Sequence, residues 1–181
     1  PEFGPPFSPC RCRPVLELAA WRVGRSHEAP GALKAAEELY ALAATVADND
    51  PAPRLGMARC YEAGFRFEDA YREYTSLLSD GYDGHAVVHA RLGALEARFR
   101  LFDSAERRFA EAERRERTNW EVQWSKGRLL LARHRWAEAL AALELAYKFE
   151  PGPERRSARV GIRLDLAAAR LAEGLLDGPT G

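Results

Sequence analysis

Apolar residues recur along this chain at spacings of three and four, the interval that lines side chains up on one face of an α-helix. The pattern predicts helices over about residues 14–28, 32–47, 53–63, 67–78, 85–99, 103–116, 120–133, 136–149 and 154–176. Proline, glycine and asparagine clusters fall between them, as helix punctuation should: Ala29-Pro30-Gly31, Asp48-Asn49-Asp50-Pro51, the turn over 79–84, and Pro151-Gly152-Pro153.

The predicted helices repeat in pairs. A small residue in each first helix (Gly24, Ala58, Gly93, Gly127, Gly161) returns at steps of 34, 35, 34 and 34 residues. Ala36, Ala70, Ala105 and Ala139 keep the same step in the second helices. Three residues before them stand Leu33, Phe67, Phe102 and Trp136, and four after them Tyr40, Tyr74, Phe109 and Leu143. Helices cross closely only where side chains are small, so the small residue of the first helix is expected to face the alanine of the second. The bulky residues then fill the space beside the crossing. A further small column, Ala43, Ala112 and Ala146, interrupted by Leu77, is expected to seat the next first helix. A two-helix unit with this period marks a solenoid, whose units bury their apolar faces only by stacking.

These columns resemble the tetratricopeptide repeat (TPR). The likeness covers about residues 17–153 as four units, 17–50, 51–85, 86–119 and 120–153, the fourth carrying Gly127, Leu130, Trp136, Ala139, Leu143, Ala146 and Pro151. It implies an all-α, right-handed α-solenoid of antiparallel hairpins. One domain is expected over 13–177, closed by a capping helix at 154–176, because terminal repeats need a polar cover. Lys126 and Glu96 stand where the family prefers apolar residues, and Arg117 where a proline often closes the unit. Residues 1–12 are proline-rich and expected to be disordered, and Pro1-Glu2-Phe3 reads as a vector remnant.

Composition narrows the function classes. Twenty-seven basic and 27 acidic residues give zero net charge, which argues against a nucleic-acid partner. No apolar run approaches the roughly 20 residues of a membrane-spanning helix, so no membrane insertion is expected. Cys10, Cys12 and Cys60 do not form a disulfide or zinc framework, which points to a reducing, cytoplasmic setting. Arginine greatly outnumbers lysine, and alanine is abundant, which hints at a bacterial, GC-rich source. His27, His85, His89 and His134 have no partners at triad spacing, and no phosphate-binding glycine loop occurs. No enzyme activity, cofactor or metal is expected.

In TPR-like proteins the first helices line a concave groove in which a partner segment lies. The resemblance therefore places Trp21, Arg22, Arg25, Leu55, Arg59, Arg91, Arg98, Trp124, Arg128 and Arg159 as partner-binding candidates. Arg25, Arg59 and Arg128 are equivalent across units and would form a row, with Arg22, Arg91 and Arg159 as a shorter second one. Arginine's planar fork grips carboxylates bidentately, and tryptophans are frequent binding hot spots. The expected function is an adaptor or scaffold that captures an acidic protein or peptide segment. Glu28, Glu62 and Glu121 could instead neutralise the arginines. The alternatives are a homo-oligomerising assembly module, an RNA-binding helical repeat, and a regulatory piece of a larger protein.

Overall fold

The computed structural model describes residues 31–46, 50–82, 85–149 and 156–176. Among them every regular element is an α-helix: α1 (Ala32–Val46), α2 (Ala52–Ala63), α3 (Phe67–Ser79), α4 (Ala86–Arg98), α5 (Phe102–Arg115), α6 (Trp120–Ala132), α7 (Trp136–Lys148) and α8 (Arg156–Leu176). These fall into two compact units, residues 1–82 and 83–181, the first holding α1–α3 and the second α4–α8. The fold class is all-α, an α-solenoid type of antiparallel helix hairpins. The helix expected over 14–28 lies outside the described residues.

The period read from side chains is also written in the backbone. Phe65, Arg100 and His134 have φ of 59°, 63° and 58°, one left-handed residue per hairpin turn at steps of 35 and 34. Each ends its first helix the same way. The N–H groups of Arg66, Leu101 and Arg135 donate to the carbonyls of Tyr61, Glu96 and Leu130, five residues back, at 2.8, 2.8 and 3.0 Å. This is the Schellman closure that satisfies carbonyls left over at a helix end. The second helices then start alike, with Ala70, Ala105 and Ala139 N–H donating to Arg66, Leu101 and Arg135 carbonyls. So the alanine column marks a fixed point of hairpin geometry.

The columns are interior. Ala36, Ala70, Ala105, Ala139, Ala43, Ala112, Ala146 and Leu77 are fully buried, and Tyr40, Tyr74, Phe109 and Leu143 nearly or fully so. The small residues of the first helices face a different neighbour from the one expected. A methyl group built on Gly127 would stand 2.6 Å from Leu143, and one on Gly93 3.1 Å from the Phe109 ring. Glycine thus receives the bulky residue four positions beyond the alanine, and the alanine passes beside it. Gly56 does the same for Tyr40 of α1, whose ring would meet an added methyl at 2.1 Å.

Polar residues at the irregular positions are partly satisfied. Buried Gln123 donates through Nε2 to Glu113 and to the Arg117 carbonyl, both at 2.9 Å, and Lys126 pairs with Glu113 at 2.8 Å. Glu96 is only 1% exposed, and Arg108 approaches its Oε1 at 3.4 Å. In the first unit Arg54 of α2 ties to α3 through Glu73 and Asp80, both at 2.6 Å, and Ser76 at 2.9 Å. Those bonds hold the Asp80 carboxyl below its ordinary range. Asn119 caps α6, accepting from Glu121 N–H at 2.9 Å.

Candidate partner-binding face

In the second unit α4 lies side by side with α6, whereas α8 packs chiefly on α7 and meets α6 more narrowly, around Trp124 and Arg128. Residues at three- and four-residue spacing on each therefore share one surface. Polar links cross it. Arg91 of α4 donates through Nε to Glu121 of α6 at 2.6 Å, and Glu121 is buried. Trp124 of α6 donates its indole N–H to Asp165 of α8 at 2.7 Å. Arg128, one turn further along α6, stands 3.7 Å from the same carboxylate and over the Trp124 ring at 5.8 Å.

The ten sequence candidates have different fates. Trp21, Arg22 and Arg25 lie outside the described residues. Leu55 and Arg59 sit on α2 of the first unit, four apart on one helical face and half-buried. Arg91 is held by Glu121, the neutralisation considered from sequence. Arg98 and Arg128 are exposed, Arg128 with 65% of its side chain open, and Arg159 is half-buried. Trp124 is half-buried, packed against the cluster of Leu143, Leu166 and Ala169. On the same helices Ala90 of α4 and Ile162 of α8 are fully buried. Trp120 is half-buried with its ring 6.2 Å from Trp124.

Asp165 and the role of Gly161 escaped the sequence reading. Gly161 continues the small column by position, yet a methyl there would meet Trp124 of the preceding first helix at 2.6 Å. Asp165 falls one step after Leu131 and so carried no repeat signal. The only available clue was an acid directly following an apolar column residue.

Elsewhere Cys60 is a buried packing residue, and burial pushes its thiol up to about 12. Cys10, Cys12 and His27 lie outside the described residues. Among the described residues no helix is long and apolar enough to cross a membrane, and no group of His, Cys, Asp or Glu is arranged to hold a metal ion.

The fold defines a helical-hairpin repeat protein of the α-solenoid class. No protein-family model matches the chain, and no curated protein matches it. Among solved structures it is similar to the MamA RS-1 ArsTM double mutant, with TM-score 0.54 and 14% identity over 91% of this chain and 98% of that one. It is also similar to a MamA point mutant in two structures. The first has TM-score 0.51 and 16% identity over 90% of this chain and 89% of that one, and the second 0.50 and 17% over 92% and 94%. At such identities the likeness concerns the fold.

Proposed function

We propose that this chain is a protein-interaction scaffold that holds an acidic segment of a partner against the first helices of its second unit. The observation that carries this reading is the side-by-side packing of α4 and α6, with Arg128 exposed on α6 and Arg98 exposed on the neighbouring α4. Arg128 is steadied by Asp165 and the Trp124 ring, so its fork is pre-oriented and loses less freedom on gripping a carboxylate. The Arg91–Glu121 pair belongs to the scaffold and contributes little net charge. The fold likeness to MamA supports a repeat architecture, and stacked repeats present extended surfaces.

The test is a pull-down from cell lysate with the wild type and an Arg98→Glu, Arg128→Glu double variant of equal helicity. A specific partner that is lost both in the variant and at high salt supports the reading. A partner that the double variant retains in full removes this face as the site.

A further inference from the structure

Helix α8 carries two apolar stripes, and the fold uses one of them. Ile162, Leu166 and Ala169 are buried, the last two in a cluster with Leu143 of α7. Val160, Leu164 and Leu171 form the other stripe and are 56%, 65% and 70% exposed. Their spacings of four and seven keep them in line, with exposed Ala167 and Ala168 as a low floor between them. Single exposed apolar side chains are ordinary, but a line of large ones on one helix marks an interaction surface.

Repeat position says what kind of element fits there. One 34-residue step before Leu164 is Leu130, which α6 buries against Ala139 and Ala142 of its own second helix. Leu164 thus stands where a first helix faces its second, while Val160 and Leu171, one step after Lys126 and Ala137, extend the stripe beyond the repeat pattern. Charge selects among possible helices. Arg156, Arg163 and Arg170 run along one edge of the stripe at seven-residue spacing. Arg163 is held over the Tyr147 ring at 5.6 Å, and Arg170 lies 3.3 Å from Glu144. Pairing α8 antiparallel with a second copy of itself would bring these arginine edges together, an unfavourable like-charge contact.

We propose that the Val160–Leu164–Leu171 stripe docks an amphipathic helix of a partner protein. That helix carries large apolar residues at three- and four-residue spacing and aspartate or glutamate along the edge that meets Arg163 and Arg170. It completes the last hairpin from outside, and the site is separate from the arginine-bearing face proposed above.

The full chain would be titrated against a labelled amphipathic helical peptide with a leucine stripe and a glutamate edge, read by fluorescence anisotropy. The same peptide with a lysine edge is the comparison. The glutamate-edged peptide is expected to bind, and the lysine-edged one to bind at least about tenfold more weakly. Leu164→Lys, and separately the double change Arg163→Glu and Arg170→Glu, should each weaken the first peptide by about tenfold or more. These side chains are exposed, so both variants should keep wild-type helicity. Three results would overturn the proposal. One is equal binding of the two peptides. Another is binding that survives Leu164→Lys but is lost in Arg128→Glu. The third is concentration-dependent self-association in sedimentation that Leu164→Lys abolishes, which would make the occupant a second copy.

Discussion

Trp124 and Gly161 fit together as ring and notch. The edge of the indole lies where a side chain at Gly161 would begin, and the indole N–H reaches Asp165 one turn further along the same helix. One tryptophan thereby fixes α8 against α6 both by shape and by a hydrogen bond.

The glycines of α8 should respond to the same substitution with opposite signs. Gly161→Ala gains helix propensity but drives a methyl into a rigid ring, and overpacking of this kind costs about 1–3 kcal/mol. Gly174 has nothing within 4 Å of an added methyl, so Gly174→Ala should stabilise by about 0.5–1 kcal/mol. Urea unfolding of the two variants beside wild type reads both signs. Stabilisation by Gly161→Ala would mean that α8 does not sit against Trp124.

Glu96 offers a stabilising change. Its side chain is buried, its Oε2 lacks a hydrogen bond, and Arg108 reaches Oε1 only at 3.4 Å. Replacing a poorly satisfied buried charge with an apolar residue of similar size is often stabilising, by about 1–4 kcal/mol. The repeat already holds leucine at the equivalent position, Leu130. Glu96→Leu should therefore raise the midpoint of thermal unfolding, and a lowered midpoint would show that the Arg108 pair outweighs desolvation.

At Arg100 the backbone is left-handed, a conformation that costs a non-glycine residue about 1–2 kcal/mol. The side chain is exposed, so little packing is lost with it. Glycine recovers that strain and gives back part of it through the greater freedom of the unfolded chain. Arg100→Gly should gain about 0.5–1 kcal/mol, measured by denaturant titration. A loss would mean that the guanidinium contributes more than the turn costs.

Cys60 links the first unit to alkaline pH. Burial raises its thiol from 9.0 to about 12, and burial also raises Tyr40 beside it. The folded state favours the protonated thiol, so this contribution is complete below pH 9 and disappears as pH climbs from 9 toward 12. Unfolding followed across that window should show stability falling, with a shallower fall in Cys60→Ala. Identical slopes would show that the thiol does not couple to folding.

Much of this molecule is legible in the linear chain. Ala70, Ala105 and Ala139 announce the start of each second helix because the hairpin needs a small residue there, and the same need sets the 34-residue step. The identity of the neighbours was less accessible. Nothing in the columns distinguishes Gly127, which receives Leu143, from Gly161, which receives Trp124.

From residue 32 onward the sequence by itself determined the helices, their pairing into hairpins and the residues that had to be small, since each depends on a few neighbours along the chain. Only the tertiary structure decided which carboxylates the arginines meet. Arg91 is held by Glu121, 30 residues away, and Arg128 leans on Asp165 from the next first helix. It also decided how α8 turns, burying Ile162 and Leu166 while Val160 and Leu164 face solvent. That choice depends on side chains far apart in sequence competing for one surface, and a local pattern carries no record of which wins.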